Sequence, residues 1–188
     1  MANGMFLEGE LIYLRALERD DIGSEYLSWV NDELIMKYLD SPFPSTIEDL
    51  FSYYDDVKDG NDNIFFAVIE KKTGKHVGNA KIGPIHWIHR RTGFGRIIGK
   101  EYWSKGFGQE ISKLLIKYIF DQLNLNRIIE HNISDNIKAV ESNIKSGLDN
   151  EGKIKSYVYA DGEYKDVVIV GLTKERYIEK KEKGLFFN

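Results

Sequence analysis

The chain has 188 residues, a length that suits one domain with a continuous core, and its content of 30% charged and 42% hydrophobic residues is globular rather than disordered. It contains no cysteine, which excludes disulfides, thiolate metal sites and cysteine nucleophiles, and its net charge of −4 with a pI near 5.6 argues against nucleic acid as a main partner. No apolar run approaches the ~18 residues of a membrane span, and the start, MANGMFLEGE, carries no basic segment followed by an apolar one, so the expectation is a cytoplasmic protein with no membrane partner.

Glu10 to Leu17 (ELIYLRAL) is strand-like, and Glu18, Asp20 and Asp21 suit the start of a helix that runs to about Asn31 with Ile22, Tyr26, Leu27, Trp29 and Val30 on its apolar side. Asn31-Asp32 offers a stop or a new cap. Ser41 to Pro44 reads as a loop, and Ser45-Thr46-Ile47-Glu48 as a capping box that opens a second helix through about Val57. Ile64 to Glu70 and His76 to Ile85 form a strand pair around Lys71 to Lys75, whose Gly74 suits a hairpin turn. Trp87 to Arg91 links them to a further strand, Thr92 to Gly99.

The next stretch is the most informative. Ser104 to Gly108 is a small, Gly-rich turn, and from Ile111 the apolar residues Ile111, Leu114, Leu115, Tyr118 and Ile119 recur at helical spacing, with Ser112, Lys113 and Lys117 facing away. Asn126 to Ser134 follows as a strand, Asn136 begins a helix that ends at Gly147, and Lys153–Tyr159 with Tyr164–Gly171 make a hairpin about Asp161-Gly162. Lys174 to Gly184 is a charge-rich helix or solvated end. Strand, two helices, three strands, helix, strand, helix and two strands is an α+β order.

Gly106 and Gly108 relieve the steric limit on the backbone and leave the first amides of the long helix pointing into a gap, where they attract anions. A dinucleotide-binding fingerprint would need a third glycine where Ile111 stands, and a P-loop would need Gly-Lys-Ser/Thr, which does not follow. What remains is a turn that offers consecutive N–H groups to a pyrophosphate, or a simple change of direction between strand and helix.

On IIGKEYWSKGFGQE, LNLNRIIEHNISDNIKAVESNIKSG and EGKIKSYVYADGEYKDVVIVGLTKERY, the chain resembles the GCN5-related N-acetyltransferases, the GNAT family, and within them the RimJ/RimL-like branch. The resemblance runs from about Glu8 to Tyr177 and implies a single domain, 1–188, with a core of about 8–177 and a tail, 178–188. The implied fold is a mixed, splayed sheet of about seven strands flanked by about four helices. The implied activity is transfer of an acetyl group from acetyl-CoA to a primary amine by direct attack in a ternary complex, without a metal. The family's turn, Arg/Gln-x-x-Gly-x-Gly/Ala, falls on Trp103 to Gly108, so Trp103 departs from it.

By the same resemblance Ile97 and Ile98 pair their backbone with pantetheine, the amides of Ser104, Lys105, Gly106, Phe107, Gly108 and Gln109 hold the pyrophosphate, and Asn136 and Asn143 meet the cofactor. Asn143 stands where many relatives have a tyrosine that protonates the leaving thiolate, and an amide cannot act as an acid. For a base, period two puts Ile128, Glu130 and Asn132 on one face of their strand and Ile129, His131 and Ile133 on the other, so Glu130 leads and His131 is its rival. Gly93 stands about where many relatives carry a glutamate. The acceptor is a small-molecule or peptide amine: acidic Glu25, Asp32, Glu33, Asp55 and Asp56 suit a peptide N-terminus, a polyamine or an amino sugar, while His86, Trp87, His89, Arg90 and Arg91 suit a nucleotide-linked amino sugar. A homodimer is compatible with the resemblance. The departures at Trp103 and Asn143 keep a second class open, a catalytically silent acyl-CoA-binding or protein-interaction domain.

Overall fold

Apolar side chains alternate along neighbouring strands, Ile12 and Leu14 beside Phe66 and Val68 beside Ala80 and Ile82, and in the computed structural model, which describes residues 4–39 and 43–184, that face forms one side of the core. The elements in chain order are β1 (Leu7–Glu8), β2 (Ile12–Ala16), α1 (Ser24–Val30), α2 (Glu33–Met36), α3 (Ile47–Asp59), β3 (Ile64–Glu70), β4 (His76–Ile82), β5 (Arg91–Thr92), β6 (Phe94–Ile98), α4 (Phe107–Asp121), β7 (Arg127–Ile133), α5 (Ile137–Lys145), β8 (Asp149–Ala160), β9 (Glu163–Thr173) and α6 (Lys174–Glu182). Nine strands and six helices are thus present among the described residues, where about seven and four were expected. One sheet runs β1-β2-β3-β4-β6 and the other β5-β7-β9-β8.

The α4 helix lies on the core face and buries Ile111, Leu115, Ile116, Ile119 and Phe120 there, each contributing about 1.5–3 kcal/mol of apolar transfer. Its stripe is wider than expected and takes in Ile116 and Phe120, and the helix starts at Phe107 rather than Ile111. The opposite face of the first sheet, Ala67 and Ile69, packs under Tyr26, Trp29 and Val30 of α1 and Leu50 and Tyr54 of α3. The single helix expected from Glu18 to Asn31 is instead a 3-10 turn at Arg19–Asp21 followed by α1, and Asp32 caps α2 by accepting from the Leu34 amide. The capping box of α3 sits one residue later than read, with Thr46 as cap and Asp49 as its partner. The Ser41–Pro44 loop lies partly outside the described residues.

Asp161 and Gly162 both have positive φ, 53° and 83°, as a two-residue hairpin turn requires, so β8 and β9 pair as expected and are longer than expected. The chain end is not a solvated tail through Glu182: α6 buries Tyr177 in a stack on Phe120, with ring centroids 4.8 Å apart, and Lys180 donates to Gly147 and Asp149.

The run Thr92–Gly99, read as one strand, is divided between the two sheets. Arg91 and Thr92 pair in parallel with Arg127 and Ile128, whereas Phe94 to Ile98 pair only with β4, and Gly93 separates the two sets. From Gly93 outward β6 and β7 have no strand between them. The result is a cleft closed at Thr92 and Ile128 and open toward the first turn of α4.

Candidate active site

Register decides which backbone groups face this cleft. The Gly99 amide donates to Val77 and the Gly83 amide to Gly93, so the hydrogen-bonded pairs of β4 and β6 include Asn79 with Ile97, and the N–H and C=O of Phe94, Arg96 and Ile98 point away from β4 into the cleft. Ile97 therefore directs its backbone at β4, and of the two residues expected to offer backbone to a cofactor only Ile98 faces the cleft, with Arg96 beside it. On the other wall the Ser134 amide donates to Asp166, which places the backbone groups of Ile129, His131 and Ile133 on the cleft side of β7.

At the open end, Ser104 (φ 63°) and Gly106 (φ 86°) are both left-handed and aim the chain so that Gly106 becomes the N-cap of α4 with no side-chain cap. The amides of Ser104, Lys105, Gly106, Phe107, Gly108 and Gln109 donate to no other described residue; the first bond of the helix is Glu110 N–H to the Gly106 carbonyl. Six consecutive donors at the positive end of a 15-residue helix, with the Lys105 ammonium beside them over the Tyr102 ring, fit a pyrophosphate in number and charge. Phe107 is buried and anchors the turn to the core. The Gln109 side chain donates to the Lys145 carbonyl and the Ser146 hydroxyl to the Gln109 carbonyl, which ties α4 to the end of α5, and the Glu110 carboxylate accepts from the Glu10 and Leu11 amides. Trp103 fills the place of the family's Arg/Gln, and its indole N–H donates to the Ile98 carbonyl at 2.8 Å, closing that cleft-facing acceptor.

Farther in, Glu130 stands partly buried on β7 and reaches across to accept the Phe94 amide. Burial pushes its carboxyl up to about 8, against the Phe94 N–H and the charge of Arg96, which both hold it down. The absence of a side chain at Gly93 is what admits this carboxylate. A Cβ there would stand 2.9 Å from both Glu130 Oε1 and the Ile129 carbonyl, so Gly93→Ala is expected to cost roughly 1–3 kcal/mol in denaturant unfolding and to push Glu130 off the Phe94 amide.

Asn136 caps α5 through the Ala139 amide, as expected of it. Asn143 is buried, accepts from Arg96 Nη1 at 2.9 Å and donates to Asn132 Oδ1 at 3.4 Å; the Nδ2 of Asn132 is itself buried without a described partner. His131 lies on the opposite face, exposed and with no hydrogen bond to a described residue, so it is neither a core histidine nor joined to this network. Arg96 and Ser142, which sequence reasoning passed over, belong to the cleft; a charge alternating with Phe94 and Ile98 on one strand face was the available signal for Arg96.

Of the acidic residues considered for the acceptor, Asp32 pairs with Lys100 and Asp55 with Arg19, while Glu25, Glu33 and Asp56 are exposed and in no ion pair with a described residue. The His86–Arg91 segment sits beyond the closed end of the cleft, where Trp87 donates to Asn61 and Arg90 to Asn124, so it does not line the cleft. Among the described residues no three metal-ligating groups converge.

A family model described as an acetyltransferase (GNAT) domain matches residues 12–148. The chain is similar to the spermidine N(1)-acetyltransferase of Vibrio cholerae, 28% identical over 90% of this chain and 96% of that one. It is likewise similar to the spermidine N(1)-acetyltransferase of Escherichia coli K12, 27% identical over 92% of each. A crystal structure of the Vibrio cholerae spermidine N-acetyltransferase in complex with CoA and spermine superposes with a TM-score of 0.82 over 90% of this chain and 99% of that one, at 28% identity.

Proposed function

The chain belongs to the GNAT acetyltransferases and depends on acetyl-CoA, and from that premise we propose that it acetylates a primary amine of a polyamine by direct attack, with both substrates bound at once in the cleft between β6 and β7. The observation that carries this reading is the cleft itself. Its walls are two strand edges that lack a partner strand, its outer end is a turn of six free amides, and its inner part holds a carboxyl whose ionisation lies near neutrality. The amides of Ser104 to Gln109 would hold the pyrophosphate, and the groups of the β6 edge left open, the N–H and C=O of Arg96 and the N–H of Ile98, would pair with the pantetheine amides in the manner of an added strand. Acetyl-CoA supplies the activated acyl carbon. Glu130, directly or through one water, takes a proton from the incoming ammonium so that its nitrogen can attack.

Relatives named for spermidine acetylation, which align with about nine-tenths of the chain, support a polyamine acceptor, and Glu25, Glu33 and Asp56 would favour a polycation electrostatically. A peptide N-terminus, the acceptor of a RimJ/RimL-like enzyme, is the competing reading. Incubation with acetyl-CoA and a panel of polyamines, amino sugars and peptides, following release of free thiol, decides between them. Turnover of peptides alone would reject the polyamine, and CoA binding with no turnover of any amine would leave a silent acyl-CoA-binding domain.

Asn143 cannot donate a proton to a leaving group, so its part is to hold Arg96 and Asn132 in place. Asn143→Ala is expected to slow transfer roughly tenfold, the equivalent of one hydrogen bond to a charged group, and to leave the pH profile of kcat where it was. A complete loss of activity in a folded Asn143→Ala protein would give Asn143 a larger role.

A further inference from the structure

The Arg96 side chain donates to Asn143 and its charge bears on Glu130, and neither contact gives it a part in the transfer. Its side chain leaves β6 on the core side, between Phe94 and Ile98, and passes under α4, where its Nε lies 3.4 Å from the position a Cβ would take on Gly108. Nη1 donates to Asn143 Oδ1, and no described acceptor takes its remaining N–H groups. No described carboxylate forms an ion pair with it. Glu130 on β7 acts on it at longer range, α5 brings neutral Asn143 and Ser142 to this spot, and α4 brings Gly108. Burial lowers its pKa only to about 10, so it stays charged at neutral pH. Its free N–H groups are not sealed in the core, so water meets them in the free protein and an anion that enters the cleft takes the place of that water. Arg96 lies between the amide turn and Glu130, which is between the groups that would hold the pyrophosphate and the group that would meet the amine.

We propose that Arg96 stabilises the negative charge that gathers on the CoA sulfur when the thioester is cleaved, taking over electrostatically the part of the proton donor that Asn143 cannot be. The inference rests on the reading of the cleft as the acetyl-CoA site. In the transfer, the amine left after Glu130 has taken the first proton of the ammonium forms a C–N bond to the acetyl carbon, the C–S bond breaks with its electron pair left on sulfur, and the second proton shed by the nitrogen passes to water. Arg96 holds the sulfur as thiolate, and solvent protonates it after release. A preorganised cation aimed at charge that exists only late in the reaction is the efficient way to lower that barrier.

The test is the ionisation of CoA bound to the intact protein, read from the ultraviolet absorbance of the thiolate as pH is varied. In wild type the bound thiol should ionise at least about one pH unit below free CoA, roughly a tenfold stabilisation of the anion. Arg96→Gln should return it to the free value and lower kcat by roughly 10²-fold, while Arg96→Lys, which keeps the charge, should retain part of the shift. Wild-type protein that binds CoA with an unshifted thiol overturns the inference without any variant, and so does an Arg96→Gln protein whose bound thiol is as acidic as in wild type. Failure of wild type to bind CoA at all overturns the cleft assignment as well, which separates the two failures.

Discussion

Glu130→Gln is expected to lower kcat by roughly 10²-fold or more, the usual scale of general-base catalysis, and to leave acetyl-CoA affinity nearly unchanged. The wild-type rate should rise with pH up to about 8, where the raised carboxyl of Glu130 ionises, because only the carboxylate can take the amine's proton. In the variant that limb should vanish, leaving the ionisation of the amine alone. Stability gives an independent reading. A carboxyl raised above its unfolded value is still protonated in the folded chain at pH values where the unfolded chain has lost the proton. The contribution of Glu130 to stability therefore falls as pH rises from its unfolded value of about 4.5 through about 8. Gln cannot ionise, so the variant should gain on wild type across that window in denaturant unfolding. Wild-type turnover of Glu130→Gln between about pH 6 and 9, with no relative gain in stability, would remove Glu130 from both accounts.

Replacing Gly108 by Val should abolish measurable acetyl-CoA binding while the protein stays folded. A Cβ at Gly108 would meet Arg96 Nε at 3.4 Å, Ile98 Cδ1 at 3.5 Å and Ser142 Oγ at 3.7 Å, contacts that the fold can absorb. Gly108 also lies within α4, not at a left-handed position, so a side chain there brings no backbone strain. Two γ-methyl groups would occupy the cleft beneath the amides of the turn, on the path proposed for the cofactor. Gly106 is a poorer probe because its φ of 86° would impose roughly 1–2 kcal/mol of strain on any L-residue and confuse binding with folding. Titration calorimetry on a Gly108→Val protein with an unchanged thermal midpoint is the measurement, and wild-type affinity in it would reject the turn as the pyrophosphate site.

Sequence reasoning located the elements whose signal is local. The β3 boundaries, the Asp161-Gly162 turn, the Asn136 cap and the amide-rich turn at Gly106 all follow from period, turn chemistry and capping within a few residues of chain. The α3 cap moved by one because Ser45 and Thr46 are both good caps and each has an acid three residues on, so local chemistry alone left two nearly equal solutions. The division of Thr92–Gly99 was out of reach, since the chain stays extended from Arg91 to Ile98 and only the partners, β7 for Arg91–Thr92 and β4 for Phe94–Ile98, distinguish the two parts. The direction of the Ile97 backbone failed for the same reason: period two gives the face of a side chain, whereas the direction of an N–H within the sheet depends on register with another strand. Glu130 could be named because alternation put it on a polar position of β7. Arg96 could not, because a charge in a strand ordinarily reads as surface, and its neighbours under α4 come from residues 47 positions away in the case of Asn143.

The passage of one strand through both sheets also limits how a chain of this kind can change its length. Thr92 is locked to Ile128 and Phe94 to Ile82, and one residue separates them. Deleting a residue there would shift β6 by one step against β7 and turn Arg96 toward α1 and α3, with Ile97 taking its place beneath α4, and inserting one would turn Arg96 the same way and put Gly95 there. Loops such as His86–Arg90 and Gly60–Asn63 can lengthen with little disturbance to the cleft, but the count from Thr92 to Ile98 has to be kept. Insertions and deletions tolerated in a library of this gene should therefore leave that span blank, although most of its side chains are unremarkable apolar residues and its own fold signal is weak.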